Sequence, residues 1–254
     1  MVLVSPRNPL NIGAAARAMA NFGFARLAVV APYEAHWREA KSAIGADELL
    51  QNALNTKTLA DAVRDSTLVV GTGSLERRKA EQPVVPLHEL APRVRQEIAR
   101  GGRVAIVFGS EKRGLTQEDL AHCHVLAVIP TDPGQPSMNL GQAVSVCLYE
   151  IASRIDEKAA PDVKRGQARD AAAPASTHDL ELLAGVVDET MLAANYSPAL
   201  MRNANRHDVH LLLRRLALTK RDAERILGLF RRILWRLKQG SNREGREKRD
   251  VTHK

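Results

Sequence analysis

Short runs of consecutive apolar residues alternate with helical patterns over the first 158 positions of this 254-residue chain. The apolar runs predict five strands, at 2–4, 27–30, 68–70, 104–108 and 125–129. Helical spacing predicts helices over 11–22, 38–54, 57–65, 87–100, 116–121 and 139–156. Fully apolar strands separated by helices are typical of a parallel sheet covered on both faces. The pattern therefore predicts an open α/β fold with ligand sites at the carboxyl ends of the strands.

The pattern changes after residue 158. Residues 159–177 are rich in Ala, Pro, Asp, Lys and Arg without an apolar period, which indicates a linker. Three helical patterns follow, over 178–195, 198–218 and 220–239. Residues 240–254 are polar and basic, as in a flexible tail. We therefore predict a first domain over 1–158, a linker over 159–177, and a helical extension over 178–254 that ends in the tail.

Charge divides the chain in the same way. The net charge is +8, from 37 Lys and Arg against 29 Asp and Glu. Residues 1–158 hold 18 basic and 17 acidic side chains, whereas residues 159–254 hold 19 and 12. A basic helical extension favours a polyanionic partner, most simply a nucleic acid. A basic helix lying on a membrane surface and a merely solvated helix face are the alternatives.

Several classes of protein are excluded. No apolar run approaches the roughly 18 residues of a membrane span, and the N-terminus lacks the apolar stretch of a secretory signal. Two cysteines cannot form a disulfide framework, so we expect a reducing, cytoplasmic setting. No Cys or His spacing fits a zinc site, and we interpret His122, Cys123 and His124 as residues that lead into a strand.

Two segments resemble nucleotide-binding motifs but lack residues that those motifs require. Residues 109–114 have the glycine spacing of a phosphate-binding loop, but Leu115 stands where the phosphate-binding lysine belongs. Residues 71–74 lack the third glycine of a dinucleotide fingerprint. The segments expected at the ligand-binding edge, each just after a strand, are instead 5–17, 71–74, 109–115 and 129–139.

Three motifs in these segments resemble a known family. They are Asn11-Ile12-Gly13 with Arg17, residues 107–115 (Val-Phe-Gly-Ser-Glu-Lys-Arg-Gly-Leu), and residues 136–140 (Pro-Ser-Met-Asn-Leu). In this order they resemble the SpoU/TrmH branch of the SPOUT RNA methyltransferases over about residues 2–156. The helical extension is similar in length and character to that of the TrmJ-type tRNA (cytidine/uridine-2′-O-)-methyltransferases.

The resemblance implies a fold that strand patterns cannot reveal, because chain knots are rare exceptions to the usual threading rules. It implies a parallel α/β sheet whose C-terminal part forms a deep trefoil knot, and a homodimer with residues of both subunits near each site. It also implies binding of S-adenosyl-L-methionine in the knot. The implied cofactor-binding residues are Thr72, Gly73, Ser74, Gly109, Ile129, Pro136, Ser137 and Met138.

The implied catalytic residues are Arg17, Asn11, Glu111, Ser137 and Asn139. A guanidinium has a pKa above about 12, so Arg17 suits phosphate positioning and alkoxide stabilisation better than proton abstraction. We expect Glu111 to pair with Arg17, and Asn11 and Asn139 to orient Arg17 and the ribose. Ser137 is a candidate cap of the helix that follows it. The loop at 7–10 is expected not to touch the motif residues.

The implied reaction is transfer of a methyl group to a ribose 2′-hydroxyl of RNA, which DNA lacks. It requires no metal and no membrane. The leading hypothesis is methylation of cytidine or uridine at position 32 of the tRNA anticodon loop. An rRNA ribose methyltransferase of the same branch and a catalytically silent RNA-binding homologue are the alternatives.

Overall fold

The computed structural model describes residues 1–73, 81–156 and 173–251, and it divides the chain into two compact units, Met1–Ala171 and Ala172–Lys254. The first unit contains a sheet of seven parallel strands. They are β1 (Val2–Val4), β2 (Ala28–Val30), β3 (Leu54–Thr56), β4 (Leu68–Thr72), β5 (Val84–Pro86), β6 (Val104–Phe108) and β7 (Val125–Val128). Their order across the sheet is β3-β2-β1-β6-β4-β7-β5. The predicted α/β fold with a parallel sheet is confirmed.

Several helices of the first unit begin at side-chain caps. They are α1 (Pro9–Asn21), α2 (Asp47–Gln51), α3 (Leu59–Ala62), α4 (Leu90–Ala99), α5 (Gln117–Ala121) and α6 (Leu140–Asp156). The Asn8 side chain caps α1 by accepting from the Leu10 N–H at 2.9 Å, and Pro9 occupies the first helical position. Thr116 and Asp119 form a reciprocal capping box at α5.

Apolar side chains are buried on both faces of the sheet. Leu3 belongs to the cluster that α1, α4 and α6 cover, whereas its neighbours Val2 and Val4 belong to the cluster that α3 and α5 cover. This alternation along one strand is expected when both faces of a sheet are buried. Cys147 and Cys123 lie in the first and second cluster respectively, both as free thiols. Burial raises the pKa of Cys147 to about 12.

Two strands lack a sequence signal that would have predicted them. β3 and β5 form the two edges of the sheet, and neither contains an apolar run as long as those of the central strands. The helix expected over 38–54 is instead a short 3₁₀ turn at Trp37–Glu39, then α2 and the start of β3. Short, partly exposed edge strands carry little of the hydrophobic pattern on which the prediction depends.

The second unit is a small helical assembly. It contains α7 (Thr177–Ala193), α8 (Arg202–Arg215) and α9 (Lys220–Val251), packed around a cluster that includes Leu180, Leu183 and Leu213. Ser176 and Asp179 form the capping box of α7. Most of the predicted linker falls on residues 157–172, which lie outside the described residues, and its last position already belongs to α7.

Helix α9 is longer than the sequence predicts. The helix continues through Val251, whereas its expected end was 239 and a flexible tail was expected beyond it; residues 252–254 lie outside the described ranges. Glu, Lys and Arg are common in this stretch and favour helix without needing a packed face, which explains the extension. In the parts of the chain that the structure describes, no helix is both long enough and apolar enough to span a membrane.

Candidate active site

A cavity of about 710 Å³ opens at the carboxyl ends of β4, β6 and β7. Its walls combine residues that follow these three strands with the start of α6. The lining residues include Thr72, Gly73, Phe108, Gly109, Glu111, Leu115, Leu126, Ile129, Pro136, Ser137, Met138 and Leu140. This volume is in the range of small-molecule sites, and apolar walls with few polar groups are typical of them. The cavity lies at the edge of the sheet where the sequence places the ligand site.

The loop after β6 is closed by its own backbone. The Gly114 N–H donates to the Ser110 carbonyl oxygen at 2.8 Å, and the two residues form an antiparallel bridge. Gly114 has φ +64°, and a Cβ on Gly109 would lie 2.0 Å from the Gly114 carbonyl carbon. Glycine at both positions is therefore required by the closed loop itself, in addition to any approach of a ligand.

Asn139 caps helix α6. Its side-chain Oδ1 accepts from the N–H groups of Gly141 at 2.9 Å and Gln142 at 3.3 Å. The expectation that Ser137 caps this helix is therefore wrong, because Asn139 stands closer to the first helical residue and satisfies these donors. Ser137 lines the cavity, and its hydroxyl has no hydrogen-bond partner within the residues described.

Asn11 joins two of the sequence motifs to each other. Its Oδ1 accepts from Asn139 Nδ2 at 2.9 Å, and its Nδ2 donates to Glu111 Oε1 at 2.9 Å. This chain of hydrogen bonds, which we call the Asn–Asn–Glu network, connects the start of α1, the loop after β6 and the start of α6. Three of the predicted catalytic residues are thereby brought together beside the cavity.

Glu111 also holds the loop after β1. Its Oε2 accepts from the Arg7 N–H at 2.8 Å and its Oε1 from the Asn8 N–H at 3.1 Å. Partial burial raises the pKa of this carboxyl, but hydrogen bonds from the Asn11 side chain and from backbone N–H groups outweigh burial and leave the pKa below its ordinary value. Glu111 is therefore a carboxylate near neutral pH.

These contacts correct one sequence-based expectation. The loop at 7–10 does touch a motif residue, since Glu111 accepts from its backbone. Sequence reasoning missed this because any residue except proline has a backbone N–H, so a backbone donor leaves no residue-type signal. The Asn8-Pro9 pair, a typical helix start, was the available clue that this loop has a fixed conformation.

Arg17 does not join the site of its own chain. Its side chain is exposed on α1, does not line the cavity, and forms no hydrogen bond or ion pair with the described residues. The expected pairing of Glu111 with Arg17 is absent from the described contacts, because the Glu111 oxygens already accept from Arg7, Asn8 and Asn11.

The structure brings most of the predicted cofactor-binding residues to the cavity. Thr72, Gly73, Gly109, Ile129, Pro136, Ser137 and Met138 all line it, whereas Ser74 lies outside the described residues. The buried Thr72 hydroxyl donates to the Val107 carbonyl oxygen at 2.9 Å, so its side chain serves the sheet. Within the described ranges, no group of three or more His, Cys, Asp and Glu residues is arranged to hold a metal ion.

The first unit also matches a known family by sequence. The model of the SpoU rRNA methylase family matches residues 1–149, which is more than half of the chain. The chain belongs to the SpoU methylase family. The sequence-based prediction of this family is confirmed, and with it the prediction that the protein is a methyltransferase.

Two relatives match this chain over different lengths, and the longer match includes the helical extension. The chain is 33% identical over 237 residues to the tRNA (cytidine/uridine-2′-O-)-methyltransferase TrmJ of Pectobacterium atrosepticum, covering 92% of this chain and 94% of that protein. It is 39% identical over 152 residues to the tRNA (cytidine/uridine/adenosine-2′-O-)-methyltransferase TrmJ of Pseudomonas aeruginosa, of which the match spans only 59%.

A solved structure is similar over nearly the whole chain. The crystal structure of TrmJ from Z. mobilis ZM4 superposes with a TM-score of 0.78 at 29% identity, covering 91% of this chain and 97% of that one. Both units therefore have counterparts in this solved structure.

Proposed function

We propose that the protein is an S-adenosyl-L-methionine-dependent RNA ribose 2′-O-methyltransferase, with cytidine or uridine at position 32 of the tRNA anticodon loop as its target. The observation that carries the proposal is the Asn–Asn–Glu network, which joins residues of all three family motifs at the rim of a ligand-sized cavity. The similarity to TrmJ proteins over more than nine-tenths of the chain supports tRNA as the substrate.

The cavity suits the proposed cofactor. Phe108, Leu115, Leu126, Ile129 and Met138 supply apolar surface for an adenine ring. Backbone groups near Gly73 and residues 129–138 can read the edge of the base and the sugar. A Cβ added to Gly73 would meet no atom within 4 Å, so this glycine leaves open space at the cavity wall. These features fit an adenosine moiety.

The proposed reaction forms a bond between the ribose 2′-oxygen and the methyl carbon and breaks the bond between that carbon and sulfur, and the 2′-hydroxyl proton is released. S-adenosylmethionine supplies a methyl group that its positive sulfur already activates, so the chemistry requires no metal. The protein must align the reacting atoms. The Asn–Asn–Glu network fixes the polar rim, and the Ser137 hydroxyl, which has no partner among the described residues, is available there to a ribose hydroxyl.

We further propose that the protein acts as a homodimer in which Arg17 serves the site of the other subunit. Arg17 is exposed and forms no contact with the network among the described residues, and a guanidinium suits RNA phosphate binding and stabilisation of the developing alkoxide. The surface apolar residues Leu10, Val146 and Tyr149 of α1 and α6 are 54%, 37% and 59% exposed and are candidates for the dimer contact. Family membership also supports the trefoil knot and a cytoplasmic location, which we include in the proposal.

The basic extension is proposed to dock the RNA. Residues 200–254 hold 16 basic and six acidic side chains. On α9 the Arg232 guanidinium carbon lies 4.3 Å from the Trp235 ring centre, and Trp235 is 44% exposed. Exposed aromatic rings beside arginines are suited to bases and phosphates of single-stranded RNA. This pairing favours RNA over a membrane surface as the partner.

An rRNA ribose methyltransferase is the second candidate, since the matched family model is described by rRNA methylation. The deciding experiment incubates the protein with labelled S-adenosylmethionine and either unmodified tRNA or rRNA, and then maps 2′-O-methyl groups. We expect label in the anticodon loop at position 32. Label confined to rRNA would establish the second candidate, and label in neither RNA would favour a catalytically silent RNA-binding protein.

A further inference from the structure

An arginine–tyrosine stack lies beside the active-site network and has no role in the chemistry proposed above. The Arg7 guanidinium carbon lies 4.6 Å from the centre of the Tyr33 ring. Tyr33 is nevertheless 67% exposed. A second stack in the same unit, Arg38 on Trp37, differs because Trp37 is only 1% exposed and contributes to the core. The Tyr33 ring is therefore open to a ligand, whereas the Trp37 ring is buried.

Backbone hydrogen bonds fix this stack to the active site. The Tyr33 N–H donates to the Pro6 carbonyl oxygen at 3.1 Å, which ties the loop after β2 to the loop after β1. The next residue, Arg7, donates its N–H to Glu111 at 2.8 Å. β2 and β6 flank β1 in the sheet, and two strand spacings correspond to about 10 Å. If a nucleotide binds at the network, Tyr33 is therefore within reach of a base one or two positions away along the RNA.

The loops that carry the stack are also strained. Ser5 and Ala31, the residues that directly follow β1 and β2, have φ of +47° and +43°. The left-handed region costs an L-residue about 1–2 kcal/mol, and neither position has the glycine that would relieve it. Strained backbone of this kind concentrates at ligand sites. Two adjacent strained turns thus hold Arg7 and Tyr33 in one arrangement.

We propose that Tyr33 and Arg7 form a stacking platform for one unpaired nucleobase of the RNA substrate, next to the ribose that is methylated. The proposal rests on the proposed function and specifies its substrate. The face of the Tyr33 ring stacks on a base of any identity, while the guanidinium of Arg7 binds the adjoining phosphate. A base inside a helix cannot stack on a side chain, so the platform selects looped RNA over duplex RNA.

Binding of unmodified tRNA in the presence of S-adenosylhomocysteine tests the platform without turnover. Tyr33→Ala is expected to raise the Kd for tRNA about tenfold, and Tyr33→Phe to restore it to within about twofold, because stacking needs the ring and not the hydroxyl. Arg7→Ala is expected to reduce the slope of log Kd against log salt by about one. Ile98→Ala, which removes a 55% exposed apolar side chain from α4, is the matched surface control.

Several outcomes would overturn the platform. They are an unchanged Kd for Tyr33→Ala, an equal rise in the Kd for tRNA with Tyr33→Phe and Tyr33→Ala, and an altered oligomeric state with unchanged RNA affinity, which would indicate a protein contact.

The controls are the melting temperatures and the S-adenosylhomocysteine affinities of all variants, which should match those of the wild type. A wild-type protein that binds tRNA but transfers no methyl group would refute the proposed function alone, since the comparison of affinities needs no turnover.

Discussion

The side-chain amide nitrogen of Asn11 lies 2.9 Å from a carboxylate oxygen of Glu111, so the first helix is hydrogen-bonded to the loop that follows the sixth strand. The two residues stand 100 positions apart in the sequence. Because Asn11 also accepts from Asn139, this contact sits at the centre of the Asn–Asn–Glu network. Its disruption is therefore expected to affect both motifs that it joins.

Replacement of Glu111 tests this arrangement. Glu111→Gln removes the charge and replaces one carboxylate oxygen with an NH₂ group. Both oxygens now accept from N–H donors, and an NH₂ group cannot accept. We expect a loss of about 1–2 kcal/mol in the free energy of unfolding, in line with charge-assisted hydrogen bonds. Methyl transfer should fall more than cofactor affinity does. Denaturant unfolding and calorimetric binding of S-adenosylmethionine measure the two effects, and unaltered stability and turnover would contradict the network's role.

The lowered pKa of Glu111 gives a pH dependence of known sign. A carboxyl whose folded-state pKa is lowered stabilises the fold fully above its unfolded pKa, here near the ordinary value of 4.5, and loses that contribution as pH falls through the folded-state pKa. The difference in unfolding free energy between wild type and Glu111→Gln should be constant near neutral pH and shrink below about 4.5. A difference that grew toward acid pH would have the wrong sign.

Two glycines of the cavity are expected to respond differently to the same change. A Cβ at Gly73 meets nothing within 4 Å, whereas a Cβ at Gly109 would lie 2.0 Å from a backbone carbon. Gly73→Ala should change stability by less than about 0.5 kcal/mol yet weaken S-adenosylmethionine binding. Gly109→Ala should destabilise the protein by about 3 kcal/mol, since rigid backbone cannot yield. Thermal unfolding and calorimetry of the two variants separate the outcomes.

Tryptophan fluorescence can report on RNA docking by α9. Of the two tryptophans, Trp37 is 1% exposed and Trp235 is 44% exposed. Stacking on bases should quench Trp235 as tRNA is added, and added salt should reverse the quenching. Trp37→Phe should keep the quenching and Trp235→Leu should abolish it. Persistence of quenching in Trp235→Leu would place the RNA elsewhere.

Mixed dimers test the proposal that the protein is a homodimer in which Arg17 acts in the site of the other subunit. Arg17→Ala lacks the guanidinium and Gly73→Phe blocks the cofactor cavity, so each homodimer should be inactive. After subunit exchange, each mixed dimer regains one complete site, and a 1:1 mixture should recover about one quarter of wild-type activity. No recovery, with exchange verified by differently tagged subunits, would mean that Arg17 acts within its own chain.

The position of the site followed from the sequence, whereas its internal contacts did not. The segments 109–115 and 129–139 could be placed at the ligand-binding edge because each follows an apolar strand, and parallel strands end at one edge. The family resemblance singled out Gly109, Ile129 and Pro136 within them, and all three line the cavity. The order of those strands is not encoded in their local pattern, so only the family resemblance placed Asn11 and Glu111 in one site, and their direct hydrogen bond was not predicted. The backbone donors of Arg7 and Asn8 left no signal because every residue except proline has a backbone N–H.

Residue chemistry explains the other differences. The sequence suggested an ion pair between Arg17 of the first motif and Glu111 of the second because their charges are opposite. The Glu111 carboxylate instead accepts hydrogen bonds from three N–H groups. The edge strands β3 and β5 carry too few apolar residues to produce a pattern. The continuation of α9 beyond 239 depends on the helical preference of charged residues, a weaker signal than an apolar stripe.

The Asn–Asn–Glu network also constrains the order of folding. Its contacts join residues 100 to 128 positions apart, and Glu111 reaches back over 104 positions to Arg7. Contacts of such sequence separation form late, after the central strands have paired. During synthesis, the rim therefore cannot assemble until Asn139 has left the ribosome, when more than half of the chain has been translated. Affinity for the cofactor would then serve as a signal that the whole sheet has formed.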